Sequence, residues 1–190
     1  MQLDFQAREV TVKLVYYGPG LSGKTTNLKY IFSTVPTQAR GDLLSIDTET
    51  ERTLFFDFLP LDLGKVHGYQ VRFHLYTVPG QVLYERTRVA VLNGADGVVF
   101  TADSQRPKLG ENVRSLQELA RNLSAQGKKF LEFPLVMQYN KRDMPDALPL
   151  SVLEKYLNPM KAPAYEAMAP KGVGVFDTLR TISKLIVSKL

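Results

Sequence analysis

The chain has 190 residues, of which 44% are hydrophobic and 23% charged, and its formal net charge is +5 at pH 7. This size and composition predict one domain over residues 1–190 with a full hydrophobic core. The chain contains no cysteine, which excludes disulfides and cysteine-based metal sites. No apolar run approaches the roughly 20 residues that span a bilayer, and the first residues lack a signal-peptide pattern. We therefore expect a cytoplasmic protein without direct membrane insertion, and the scattered basic residues do not favour nucleic-acid binding.

Strand-like and helix-like segments alternate along the chain. A strand is predicted over residues 10–17 and a helix over 26–33. The polar segment 35–52 is too long for an ordinary loop and is therefore expected to be functional. Two strands, 53–59 and 69–78, are predicted next, joined by a turn over residues 62–68.

The second half of the chain continues the alternation. Helices are predicted over residues 83–92, 109–125, 151–156 and 176–189, and strands over 97–102, 135–140 and 164–167. The repeated change between strand-like and helix-like spacing of apolar residues predicts an α/β fold, in which a mostly parallel central sheet carries helices on both faces.

Residues 18–25 read Gly-Pro-Gly-Leu-Ser-Gly-Lys-Thr, a complete G-x-x-x-x-G-K-[ST] loop between a predicted strand and a predicted helix. Its backbone N–H groups and the positive end of the helix are expected to hold a polyphosphate. Lys24 would reach the β- and γ-phosphates and assist catalysis, and the Thr25 hydroxyl would coordinate Mg²⁺. The predicted nucleotide-binding residues in this region are Gly18, Gly20, Leu21, Ser22, Gly23, Lys24, Thr25 and Thr26.

A phosphate loop alone leaves kinases, ATPases and GTPases open, and the choice depends on Asn140, Lys141 and Asp143. These residues form an N-K-x-D pattern at the end of a predicted buried strand, where ligands of parallel sheets gather. A carboxylate at Asp143 accepts from the N1–H and the exocyclic amine of guanine, whereas adenine would leave it unpaired. Asn140 is expected to brace the loop and meet the base edge, and the Lys141 stem to lie over the ring. The two motifs together predict a guanine nucleotide, GTP or GDP.

With these motifs the chain resembles the Ras-like small GTPases, which are P-loop NTPases. More narrowly, it resembles the bacterial MglA family of gliding-motility and cell-polarity GTPases. The residues that carry this resemblance are 16–28, 51–60, 77–81 and 140–143. The resemblance implies that Met168 and Ala169 belong to the last base-contacting loop, with the Ala169 N–H donating to the guanine carbonyl. It also implies that Thr53 coordinates Mg²⁺ and touches the γ-phosphate.

Two side chains are the main candidates for hydrolysis. Gln81 directly follows Gly80, so the glycine N–H can bond the γ-phosphate while the glutamine orients the attacking water. The residues alone favour a solvated Arg52, but the resemblance implies an arginine finger supplied by the same chain. Thr77 departs from the superfamily, which usually has an aspartate there, and Asp57 on the neighbouring predicted strand is a candidate replacement.

The resemblance also implies a switch and a partner. Segments 35–53 and 79–88 would sense the γ-phosphate, and the strand near 53–59 would shift register when the partner binds. The implied partner is a homodimeric roadblock-type activator, MglB-like, acting on a chain that is monomeric alone, with polarity or motility effectors at a cell pole. Two alternatives stay open: a GTP-binding scaffold with negligible hydrolysis, suggested by Thr77, and a small P-loop kinase, which residues 140–143 disfavour.

Overall fold

The structure is a computed structural model that describes residues 1–46, 56–80 and 84–189. Within these ranges, the chain forms one sheet and five α-helices. The strands are β1 (Gln2–Asp4), β2 (Glu9–Tyr17), β3 (Leu44–Ile46), β4 (Phe56–Val66), β5 (Tyr69–Thr77), β6 (Gly97–Asp103), β7 (Leu135–Asn140) and β8 (Ala164–Glu166). The helices are α1 (Lys24–Thr34), α2 (Glu85–Leu92), α3 (Leu109–Ala125), α4 (Leu150–Leu157) and α5 (Val175–Val187).

The sheet is mixed but mostly parallel. Its order is β3-β4-β5-β2-β6-β7-β8, and β1 also pairs with β2. Strands β5, β2, β6, β7 and β8 run parallel to one another, whereas β1, β3 and β4 join the sheet through antiparallel pairs. The carboxyl ends of β2, β6 and β7 therefore lie at one edge, where the predicted motifs meet.

Helices cover both faces of the sheet because the strands are apolar on both sides. Every residue of β6 and β7 is buried, as expected for parallel strands with two covered faces. Buried residues of α1 and α5 join one core cluster, and buried residues of α2, α3 and α4 join a second cluster. The predicted α/β class with helices on both faces is confirmed.

The largest differences from the sequence prediction lie before β5. Strand β4 continues to Val66, so the turn to β5 is only His67 and Gly68 rather than residues 62–68. The register of the pair shifts between Asp62 and Lys65, which lets Gly64 stay inside the strand. The segment predicted as irregular contains a 3₁₀ turn, Thr37–Ala39, and the short strand β3, while β1 was not predicted.

Two adjacent tyrosines on β2 pack into the two core clusters on opposite faces of the sheet, because successive strand residues point to opposite faces. Tyr16 lies in the cluster under α1 and α5, and its hydroxyl has no hydrogen-bond partner among the described residues. Tyr17 lies in the other cluster, where its hydroxyl donates to Glu118 Oε1 at 3.0 Å and accepts from Asn122 Nδ2 at 3.3 Å. Burial, with the nearby Glu118 carboxylate, raises the pKa of Tyr17 and keeps the donor protonated.

Removing the two hydroxyls should have different effects on the free energy of unfolding. We expect Tyr17→Phe to lower the free energy of unfolding by about 1 to 2 kcal/mol, because Asn122 and Glu118 lose a buried partner. Tyr16→Phe removes a hydroxyl without a partner and should leave stability unchanged or raise it by up to about 1 kcal/mol. Urea unfolding of both variants and the wild type would measure this difference, and equal destabilisation by the two changes would contradict it.

Candidate nucleotide-binding site

The phosphate loop connects the end of β2 to the first residue of α1, as the sequence predicts. Tyr17 ends the strand and Lys24 begins the helix. Gly23 has φ +99°, and a Cβ atom placed there would lie 2.2 Å from Asn140 Nδ2. A side chain at this position would therefore separate the phosphate loop from the end of β7.

A cavity of about 720 Å³ opens over this loop and the ends of β4 and β5. Its walls contain most of the predicted phosphate-binding residues, together with several that the sequence did not single out. The lining residues are Gly20, Leu21, Gly23, Lys24, Thr25, Thr26, Lys29, Ser45, Phe56, Asp57, Thr77, Val78, Pro79, Gly80 and Tyr84. Its position at a helix N-terminus is suited to an anionic ligand.

The Lys24 ammonium is buried inside the loop. It donates to the carbonyl oxygens of Gly18 at 3.0 Å and Pro19 at 2.6 Å. Burial, reinforced by the positive charge of Arg88, lowers the pKa of Lys24 to about 7, while the Asp57 carboxylate acts in the opposite direction. A polyphosphate entering the cavity would supply the negative charge that this ammonium lacks.

Asp57 is the centre of a hydrogen-bond cluster beside the phosphate loop. Its Oδ2 accepts from the Thr25 hydroxyl at 2.5 Å and from the Thr77 hydroxyl at 2.8 Å. The Asp57 backbone N–H donates to Thr77 Oγ1 at 2.9 Å, and Ser45 Oγ donates to Asp57 Oδ1 at 2.7 Å. Thr77 therefore orients the Asp57 carboxylate and does not itself supply one. The sequence had suggested Asp57 as the candidate for this charge.

The oxygen atoms of Thr25 and Asp57 fit a magnesium ion. Mg²⁺ prefers hard oxygen ligands and takes only one or two from the protein when nucleotide phosphates and waters complete its shell. Within residues 1–46, 56–80 and 84–189, no three His, Cys, Asp or Glu side chains lie together in a way that could hold a metal ion. The hydroxyl of Thr25 and the carboxylate of Asp57 therefore suit a magnesium ion whose remaining ligands come from a nucleotide and water.

The N-K-x-D motif lies directly against the phosphate loop. Asn140 ends β7 and is buried, and its Nδ2 donates to the Ser22 carbonyl at 2.8 Å. Its Oδ1 accepts from the Ala169 N–H at 3.0 Å. A guanine carbonyl would have to share or replace this acceptor, and the predicted Ala169 contact stays a prediction. The neighbouring Met168 N–H donates to the Val173 carbonyl at 3.1 Å.

Ion pairs fix the other two residues of the motif. Lys141 has φ +62°, and its Nζ lies 2.6 Å from Oδ2 of the buried Asp103. Asp103 thus holds the Lys141 ammonium. Asp143 lies at the surface with one carboxylate oxygen 3.2 Å from Lys171 Nζ.

Three predicted site residues, Arg52, Thr53 and Gln81, lie outside the described residues. Gly80, which precedes Gln81, is described and packs against the phosphate loop: a Cβ atom placed on it would lie 2.2 Å from Gly20 N. Behind it, the buried Arg88 pairs with Glu118 at 2.6 Å and donates to the Pro79 carbonyl at 3.3 Å. Sequence reasoning missed this pair, since it depends on how α2 lies on α3.

Fold and site together define a P-loop nucleotide-binding protein with an α/β sheet. The chain is 52% identical to the mutual gliding-motility protein MglA of Myxococcus xanthus (strain DK1622) over 188 residues, which cover 99% of this chain and 96% of that protein. No protein-family model matches the chain. The chain belongs to the MglA family of Ras-like small GTPases. The resemblance stated from the sequence is confirmed. No helix within the described ranges is long and apolar enough to cross a membrane.

The contact between Gly80 and the phosphate loop leads to a prediction for turnover. We expect Gly80→Ala to retain GDP binding but to lower GTP turnover by about 100-fold, because the methyl group forces the segment away from the loop. Phosphate release and binding of fluorescent GDP would measure the two effects.

Gly110→Ala is the matched control. A Cβ atom at Gly110 meets nothing within 4 Å, and the residue lies in α3, far in sequence from the loop. Its turnover should equal that of the wild type. Normal turnover of Gly80→Ala would contradict a functional contact between Gly80 and Gly20.

Proposed function

We propose that the chain is a molecular switch that binds GTP and GDP with Mg²⁺ and hydrolyses GTP to GDP and phosphate. The observation that carries this proposal is the Asn140 side chain, which bridges Ser22 of the phosphate loop and Ala169. One nucleotide can then contact the phosphate loop and the base-recognition residues together.

The chemistry of Asp143 supports guanine as the base. Its carboxylate is an acceptor for two donors of guanine, and adenine has no N1–H to satisfy it. The ion pair of Lys141 with Asp103 supports a lysine stem held in place as a stacking surface. Of the residues proposed to contact the nucleotide, Thr53 and Gly80 would lie near the γ-phosphate, and Met168 and Ala169 near the base.

Thr25 and Thr53 are proposed as the magnesium ligands from this chain. Asp57 would hold the outer shell of the ion, since its Oδ2 is already 2.5 Å from the Thr25 hydroxyl. When bound, Mg²⁺ would neutralise charge on the β- and γ-phosphates. Thr77 and Ser45 keep the carboxylate in this position through three hydrogen bonds.

Hydrolysis is proposed to depend on three side chains. Lys24 binds the β- and γ-phosphates, Gln81 orients the attacking water, and Arg52 stabilises the charge of the transition state from within the same chain. The close packing of Gly80 on Gly20 supports this arrangement, because it brings the residue before Gln81 to the wall of the cavity.

The switch is proposed to involve β4 and α2. Along β4, Asp57, Leu59 and Leu61 are buried, while Phe56 and Phe58 on the other face are half-buried. Because both faces are largely apolar, a change of register is tolerated, but a one-residue shift would turn Asp57 away from Thr25. A register change would thus alter the proposed magnesium site.

A homodimeric roadblock-type activator is the proposed partner, acting on segments 35–53 and 79–88 of a chain that is monomeric alone. Polarity or motility effectors and a cytoplasmic location, with recruitment to a cell pole, are further parts of the proposal, supported by the similarity to a gliding-motility protein. The second candidate, a GTP-binding scaffold with negligible hydrolysis, is favoured by the uncharged Thr77.

The proposed function is tested by phosphate release from GTP, measured alone and with a roadblock partner, with ATP as the control nucleotide. We expect slow release alone, faster release with the partner, and none from ATP. Arg52→Ala should lower the stimulated rate by about 10³-fold while GDP binding persists. Tight GTP binding without phosphate release under either condition would instead establish the scaffold.

Asp57→Asn tests the magnesium proposal. The amide keeps the shape of the side chain but removes the charge, so the magnesium concentration needed for half-maximal nucleotide retention should rise about 10- to 100-fold. Ser45→Ala should have a smaller effect, because Ser45 contacts only Oδ1, away from Thr25. A magnesium titration of fluorescent GDP release would compare them, and an unchanged requirement in Asp57→Asn would exclude this role.

A further inference from the structure

A row of buried polar side chains crosses the apolar core between α1, β7 and α5. Asn27, Gln138 and Thr178 are each completely buried. Gln138 lies two residues after Val136 on β7 and therefore points to the same face, into the cluster that also contains Leu28 and Ile182. Three polar side chains at apolar positions need a reason beyond packing.

The hydrogen bonds of the row are complete. The Asn27 and Gln138 amides bond reciprocally: Asn27 Nδ2 donates to Gln138 Oε1 and Gln138 Nε2 donates to Asn27 Oδ1, both at 2.9 Å. The second hydrogen of Gln138 Nε2 goes to Thr178 Oγ1 at 3.2 Å. At the two ends, Asn27 Nδ2 donates to the Gly23 carbonyl at 2.9 Å and Thr178 Oγ1 to the Gly174 carbonyl at 2.6 Å.

The first end fixes a peptide plane of the phosphate loop. The Gly23 carbonyl belongs to the same peptide unit as the Lys24 N–H, and in a planar trans peptide the two groups point in opposite directions. The carbonyl accepts from both the backbone N–H and the side chain of Asn27. Because glycine has no Cβ atom, it restricts rotation of this plane little, and the two bonds from Asn27 supply the restriction.

The second end lies under the segment that contains Ala169. Gly174 has φ +72° and packs on the backbone before that residue: a Cβ atom placed on it would lie 2.1 Å from Glu166 O and 3.1 Å from Ala167 Cα. Thr178 holds the Gly174 carbonyl through both its N–H and its hydroxyl. The row therefore connects the phosphate loop to the proposed base-contacting loop.

A packing role alone does not account for the row. Replacing both partners of a buried hydrogen bond by apolar groups of similar shape is nearly neutral for stability. The distinctive property of the amide pair is its directionality, since it fixes α1, β7 and α5 in one relative position. Asn140, two residues after Gln138 on the same face, makes a similar link nearer the site.

We propose that Asn27, Gln138 and Thr178 are positioning residues that hold the phosphate loop and the base-contacting loop in register and thereby slow nucleotide release. This inference depends on the proposed guanine-nucleotide function. The row does not touch the nucleotide and acts through the Gly23 peptide at one end and through Gly174, packed on Glu166 and Ala167, at the other.

The test is the release rate of N-methylanthraniloyl-GDP with Mg²⁺, chased with excess GDP. The double variant Asn27→Leu/Gln138→Met replaces the amide pair with apolar side chains of similar size. We expect release about tenfold faster than in the wild type, with no change in the unfolding midpoint of the nucleotide-stripped proteins. Tyr16→Phe, in the same cluster but outside the row, should release at the wild-type rate.

Thr178→Val provides a second, smaller change that keeps the amide pair and removes both bonds of Thr178 Oγ1, the one to the Gly174 carbonyl and the one from Gln138 Nε2. It should also release faster, and it decides the question if the double variant loses stability. Wild-type release from both the double variant and Thr178→Val would overturn the proposal. Failure of the wild type to bind N-methylanthraniloyl-GDP would count against the guanine-nucleotide function itself, which distinguishes the two failures.

Discussion

The hydrogen bond from Asn140 Nδ2 to the Ser22 carbonyl is the link on which the site depends. It requires that β7 end beside the phosphate loop, which in turn requires β6 between β2 and β7 in a parallel sheet. It also requires glycine at position 23, because any side chain there would occupy the place of the amide. This one contact therefore depends on the order of the strands, on the sequence of the phosphate loop and on the position at which β7 ends.

Asp57 and Thr77 illustrate how a carboxylate on one strand is oriented by its cross-strand neighbour. Thr77 has no charge, yet its hydroxyl and the Asp57 backbone form a pair across β4 and β5 that directs a carboxylate at Thr25. The carboxylate beside Thr25 thus lies on β4 and not on β5. This arrangement makes the position of the charge dependent on the register of β4, whereas an aspartate at position 77 would lie on β5, which pairs in parallel with β2 inside the sheet.

Sequence patterns predicted those helices and strands in which the burial of the side chains matches the apolar pattern of the sequence. The bounds of α3 and β7 match the prediction because α3 has one apolar face and β7 is buried throughout. The end of β4 was missed since Gly64 and Gly68 are typical turn residues, and only the pairing with β5 shows that Gly64 stays in the strand. Complete motifs likewise predicted the phosphate loop and Asn140. The position of Asp57 beside Thr25 depends on cross-strand register, which composition and spacing do not contain.

The amide pair of Asn27 and Gln138 likewise could not be predicted from the sequence. From sequence, Asn27 is one polar residue in a helix and Gln138 one polar residue in a buried strand, and nothing connects two positions 111 residues apart. Their reciprocal bonds arise only when α1 packs on β7. An apolar pair would fill this space with little cost in stability, but it would permit α1 to slide on the sheet, because dispersion contacts are not directional. A protein that must keep two loops on opposite ends of one ligand gains from a core contact that has only one geometry.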